Sequence, residues 1–176
     1  MKILIFASGR GSNFEALVKA SKKGELLADI VGLCCDRDCN AVNIAKDNGI
    51  PVSRIDPKDA ESIIKTVKQY DPSYILLAGY MRIIAPELID EYPMRIINIH
   101  PSLLPMFKGK DAIKQAWDAG VKETGVTVHF VNDKMDAGVI IMQEKISIPS
   151  SIEALESSIH ELEHRIYVKA VNSIVK

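Results

Sequence analysis

Apolar and polar positions fall in blocks along the chain, and the period changes from one block to the next. "KILIFA" (2–7) is apolar after its lysine and predicts a buried strand, whereas "SNFEALVKASKKG" (12–24) reads as a helix closed by Gly24. "ADIVGLCC" (28–35) is a second strand, "AVNIAKDNG" (41–49) a short helix ending at Gly49, and "PVSRI" (51–55) a third, short strand. "KDAESIIKTVKQY" (58–70) predicts a helix that Asp71-Pro72 stops. "YILLAGY" (74–80) is a fourth strand, "APELIDEY" (85–92) a short helix, and the start of "RIINIHPSLLP" (95–105) a fifth strand. Strands that are apolar throughout and alternate with helices predict a parallel sheet covered on both faces.

The pattern changes after Pro105. "DAIKQAWDAG" (111–120) is a helix, but "GVTVHFV" (125–131) and "GVIIMQEKISI" (138–148) are separated only by "NDKMDAG". That connection is too short for a parallel crossover and predicts an antiparallel pair. A last amphipathic helix runs from about 151 to 174, where "SIEALE" resembles a capped start. The expected fold is α/β, a Rossmann-like doubly wound and mostly parallel sheet with an antiparallel C-terminal edge, in a single domain over 1–176.

Composition adds exclusions. A formal net charge of −1 gives no electrostatic footprint for nucleic acid or for an anionic membrane surface. The N-terminal apolar run is too short for a signal peptide, and no apolar stretch is long enough to span a bilayer. Cys34, Cys35 and Cys39 form no disulfide framework and no zinc-ligand spacing, which argues for a reducing compartment. The expected location is the cytoplasm.

Two segments carry candidate chemistry. In "FASGRGSN" the glycines allow close backbone approach, and the following helix start aims free N–H groups at an anion. Phe14 stands where a dinucleotide fingerprint needs a third glycine, so a small anion fits better than a pyrophosphate. A tight turn without ligand and a dinucleotide site, with Asp36 as the ribose acid, remain open on these residues. In "RIINIHPSLLP" Asn98 and His100 lie two apart on a strand and share one face, while Ile97 and Ile99 face the other way. An amide and an imidazolium side by side form a plausible oxyanion hole. A carboxylate nearby would hold the histidine in its charged form, and Asp136 is better placed for this than Asp133.

A rival is "HELEH", His160 to His164, which matches H-E-x-x-H. The tail after His164 has no third ligand, so solvated helix charges are the better reading, with Glu163 able to reach a ligand; no metal is expected.

"GRGSN", "AGYMRII", "NIHPSLLP", "GVTVHFV" and "MDAGVIIMQ", in this order and spacing, resemble the phosphoribosylglycinamide formyltransferases, a folate-dependent formyltransferase family of purine synthesis. The resemblance implies transfer of a formyl group from the co-substrate 10-formyltetrahydrofolate to the amine of glycinamide ribonucleotide. It assigns Asn98, His100 and Asp136 to catalysis, Gly11, Ser12 and Asn13 to the substrate phosphate, and Glu163 to the glycinamide end. Folate contacts fall to Met81, Arg82, Ile83 and Ile84, to the loop Asn132, Asp133, Lys134, Met135 and Asp136, and to Lys58 near the folate tail. The partners implied are small molecules only, with the protein a monomer or homodimer. "MFKGKDA" departs from the family pattern, so Phe107 to Lys110 receive no contacts. Formyltetrahydrofolate hydrolases and the tRNA and sugar-nucleotide formyltransferases share the core; the first two carry additional domains. A non-catalytic nucleotide-binding module is the alternative from a different class.

Overall fold

The structure is a computed structural model that describes residues 1–175. Strands β1 (Lys2–Ala7), β2 (Asp29–Cys35), β3 (Val52–Arg54), β4 (Tyr74–Leu77) and β5 (Ile96–His100) alternate with α1 (Ser12–Lys22), α2 (Asn40–Asp47), α3 (Ala60–Tyr70) and α4 (Pro86–Glu91). They are followed by α5 (Ala112–Asp118), β6 (Glu123–Phe130), β7 (Ile140–Ser147) and the long α6 (Ile152–Ile174). All lie where the apolar periodicity predicts them. The fourth strand stops three residues short of its apolar run, because Gly79 turns away with φ of 71°.

The strands form one seven-stranded sheet in the order β3-β2-β1-β4-β5-β6-β7. Neighbours from β3 through β5 are parallel, while β6 runs antiparallel to β5 and β7 antiparallel to β6. The chain steps outward from β1 to β3 and then returns to the other side of β1. Its switch point therefore falls between β1 and β4, where open α/β sheets leave a crevice at the carboxyl ends of their strands.

Alternation within each strand divides the core into two layers. Ile3, Ile5 and Ala7 of β1 pack with Phe14 and Leu17 of α1 and Leu162 and Ile166 of α6; Leu4 and Phe6 pack with Ile63 and Val67 of α3 and Leu88 of α4. Asp59 caps α3 through the Ser62 N–H, and Ser151 caps α6 through the Ala154 N–H at 3.2 Å. Tyr167 of α6 is fully buried, and its hydroxyl reaches the carbonyls of Leu77 on β4 and Ile97 on β5, at 3.1 and 3.2 Å.

Candidate active site

Asn98 and His100 stand at the carboxyl end of β5 on one face, with Ile97 and Ile99 in the core layer behind them. The antiparallel register sets Asn98 opposite His129 of β6, and Asn98 Nδ2 lies 3.4 Å from His129 Nε2. His129 donates from Nδ1 to the Phe130 carbonyl at 2.9 Å, which leaves Nε2 facing the site. The β6–β7 loop brings Asp136 over both imidazoles. Its Oδ2 is 3.5 Å from His100 Nδ1, and its Oδ1 is 3.7 Å from His129 Nε2. The Gly109 N–H donates to Oδ2 at 2.8 Å.

Burial raises the pKa of Asp136, but the close approach of His129, the Gly109 amide and the charges of the two histidines together pull it below the usual carboxylate value. The backbone there is left-handed, with φ of 48° at Asp136. Gly138 allows the loop to return so tightly: a Cβ on it would fall 1.6 Å from the Phe130 carbonyl oxygen.

Sequence reasoning missed two members of this cluster. His129 sits in an apolar strand, and its place beside Asn98 follows from strand register, which spacing along one segment does not contain. The signal available was a lone histidine in "GVTVHFV" once that strand is paired with "RIINIH". The second is the 106–109 loop, which the sequence left without contacts. The His100 Nε2–H donates to the Phe107 carbonyl at 2.8 Å, so both ring nitrogens face oxygen acceptors.

Left-handed turns at Phe107 (φ 54°) and Gly109 (φ 77°) curl this loop back over the histidine. Side-chain hydrogen bonds tie down the segment that leads into it. Ser102 donates to the Met106 carbonyl at 2.6 Å, and the buried Thr127 hydroxyl donates to Ser102 O at 2.7 Å. That same Thr127 oxygen accepts from the Leu104 N–H and the Gln143 amide.

The anion-loop candidate lies at the switch point. Gly11 takes the cap position of α1 with φ of 77°, and Ser12 and Asn13 form its first turn, with no side chain capping the helix. A Cβ on Gly11 would sit 3.0 Å from Ala41, so the loop is packed directly against α2. Asn13 is buried and faces Glu163 of α6, whose pKa burial pushes up to about 7 against the opposing pull of the Asn13 amide.

The Met81–Ile84 segment leaves β4 beside this loop: the Met81 N–H donates to Ser8 Oγ at 3.0 Å, and the Met81 side chain lies over Gly9. Met81 and Ile83 are 69% and 80% exposed, whereas Ile84 is buried in the core. Arg82 folds back onto the buried Asp36 at 2.7 Å, where Arg37 also binds at 2.9 Å. Asp36 is thereby committed to two guanidinium groups, which hold its carboxyl well below the usual range against the cost of burial. Both guanidinium groups take Oδ2, while Oδ1 is buried with no hydrogen-bond partner, so the carboxyl offers no exposed acceptor to a ribose hydroxyl.

Lys58 is exposed on the loop after β3. The strand it follows, β3, is the sheet edge four strands, about 19 Å, from β5, and none of the cluster's hydrogen bonds or ion pairs involves Lys58. Asn132, Asp133, Lys134 and Met135 are exposed on the loop that carries Asp136. In "HELEH", His160 and Glu161 are exposed and His164 is half-buried; no group of three or more metal-ligating side chains is gathered among the described residues.

Residues 1–171 match the formyl transferase family, and the chain belongs to it. It is thus a transferase of the Rossmann-like formyltransferase fold. It is 41% identical over 184 aligned positions to the phosphoribosylglycinamide formyltransferase of Bacillus subtilis, covering 99% of this chain and 94% of that one. Among solved structures, glycinamide ribonucleotide transformylase 1 of Geobacillus kaustophilus superposes with a TM-score of 0.95 at 44% identity, over 99% of this chain and 98% of that one. The phosphoribosylglycinamide formyltransferase of Bacillus halodurans gives the same TM-score at 39% identity, over 100% and 96%.

Proposed function

We propose that the protein transfers the formyl group of 10-formyltetrahydrofolate to the amine of glycinamide ribonucleotide, in the purine synthesis of the cytoplasm. The observation that carries this is the Asp136 carboxylate held 3.5 Å from His100 and 3.7 Å from His129, with Asn98 alongside.

The roles follow from what each group can donate or accept. The substrate amine attacks the formyl carbon, and its carbonyl oxygen gathers negative charge. The Asn98 amide and the His100 Nε2–H are the donors for that oxyanion, and the productive complex exchanges the Phe107 carbonyl for it as the acceptor of Nε2. Asp136, kept ionised by its surroundings, balances the charge of His100 and takes part in moving the proton from the attacking nitrogen to the departing folate nitrogen. His129 acts through Asp136 and Asn98 as a positioning residue.

The uncapped start of α1, with Gly11, Ser12 and Asn13, supplies N–H groups for the ribonucleotide phosphate. Glu163 stands one side chain away, on Asn13, where it meets the glycinamide end. The exposed Met81 and Ile83 and the loop from Asn132 to Asp136 wall the pterin, while backbone groups of Met81–Ile84 meet its polar edge. Lys58 is left for the far end of the folate tail. No step uses a metal ion.

The test is to mix the protein with glycinamide ribonucleotide and 10-formyl-folate and follow release of the folate product. Release only when the ribonucleotide is present supports the transfer. Release without it shows a hydrolase, and no release with either water or the ribonucleotide as acceptor shows a binding module.

A further inference from the structure

The cysteine cluster is untouched by the chemistry above, and its geometry is specific. Cys35 ends β2 and Cys39 is the cap residue of α2, and the Cys39 thiol faces the Cys35 sulfur at 3.7 Å. Cys35 is buried, whereas Cys39 is half-buried and open to solvent. Cys34 points into the opposite core layer, away from the pair. A disulfide requires the sulfurs to close from 3.7 Å to about 2 Å.

The residues immediately after Cys39 brace the anion loop. Asn40 Nδ2 donates to the Arg10 carbonyl at 3.0 Å, and the Ala41 N–H donates to the Gly9 carbonyl at 3.4 Å. Ala41 also fills the space a Gly11 side chain would need, so there is no slack between α2 and the loop. Pulling Cys39 toward β2 therefore pulls on the backbone that shapes residues 9–11.

The geometry points to Cys35 and Cys39 as an oxidation site that closes to a disulfide and loosens the loop at the start of α1. The reaction is exchange with a small disulfide such as glutathione disulfide. The Cys39 thiolate attacks one sulfur of the oxidant, forming a mixed disulfide and releasing one thiol. The Cys35 sulfur then attacks Cys39, its proton passing to solvent, and the second thiol leaves. Two protein thiols are oxidised and one disulfide is reduced to two thiols. Burial raises the pKa of Cys35, so it must shed its proton as it attacks, and closing the ring is the slower of the two steps.

The experiment treats the purified protein with glutathione disulfide, which spares the exposed methionines. Trypsin cuts after Arg37, between the two cysteines, so the link appears as peptides 24–37 and 38–46 joined through sulfur. The expected result is that joined pair in the wild type and in Cys34→Ser, and its absence in Cys35→Ser and Cys39→Ser. Amide exchange over residues 8–14 should then rise about tenfold in the oxidised wild type, an opening equilibrium shifted by about 1.4 kcal/mol, and return on adding dithiothreitol. A mixed disulfide that never closes, or a link involving Cys34, overturns the site. A closed link with unchanged exchange over 8–14 overturns its coupling to the loop. Neither readout uses formyl transfer, so the outcome stands apart from the proposed reaction.

Discussion

The two histidine-bearing regions of the molecule differ in how much of their chemistry is written in one segment. "HELEH" places two histidines one turn apart on α6, in the letters of a zinc motif, yet His160 points to solvent and the His164 Nε2 has no hydrogen-bond partner. The side chains that this stretch sends inward are Leu162, into the core, and Glu163, between the histidines in sequence, which faces Asn13. At the β5–β6 edge His100 and His129 come from different strands, and no short motif joins them. They share Asp136, and each is held by a backbone carbonyl. Spacing along one element decides which face a residue takes; only pairing between elements decides which residues meet.

Four experiments bear on that contrast. At the strand edge, His100→Ala or Asp136→Ala should lower kcat by about 10²–10³, the usual cost of an oxyanion donor or its support. Circular dichroism should show the fold unchanged, and near-normal turnover in either variant would remove the cluster from the chemistry.

Within "HELEH" the large effect should be on stability and should come from Glu163. Its pKa is raised from 4.5 to about 7, so the folded state holds this proton more tightly than the unfolded chain. Stability is therefore greatest below about pH 4.5 as far as this group is concerned and falls as pH rises through 7, by on the order of 3 kcal/mol. Glu163→Gln should flatten the decline of Tm between pH 5 and pH 8 (a window set by that shift); an unaltered slope would place the carboxyl in water.

His129→Ala should cost about tenfold in kcat, the consequence of leaving a buried carboxylate one partner short. KM for the ribonucleotide should stay constant, and the acid limb of the pH–rate profile should move up as Asp136 loses a donor. A change confined to KM would make His129 a substrate contact instead. The smallest effect is expected for His160→Ala combined with His164→Ala, where turnover should stay within about twofold and be indifferent to chelators. A large loss restored by zinc would reverse the comparison.

Much of the fold was legible because strand and helix periods are local. The face shared by Asn98 and His100 followed from period 2 alone, and the short "NDKMDAG" connection gave both the antiparallel pair and the nearness of Asp136. What was not legible depended on register or on backbone torsion. His129 needed the Asn98–His129 pairing. The Phe107 carbonyl reaches His100 only because two successive left-handed turns fold the loop back, and the sequence "MFKGKDA" marks only one of them with a glycine. Asp36 looked available for a ribose from its place at a strand end, but two arginines claim it, and one of them is the Arg82 expected at the folate.

Tyr167 has a mechanical consequence. Its hydroxyl pins α6 to two adjacent strands, at the last residue of β4 and the second of β5, so a tilt of the helix pivots there. Glu163 lies one turn from that fulcrum, a lever arm of about 6 Å, whereas Ile152 rides on an arm of about 22 Å. Displacement grows with the arm, so any tilt of this 23-residue helix about Tyr167 moves Ile152 more than three times as far as the carboxyl beside Asn13.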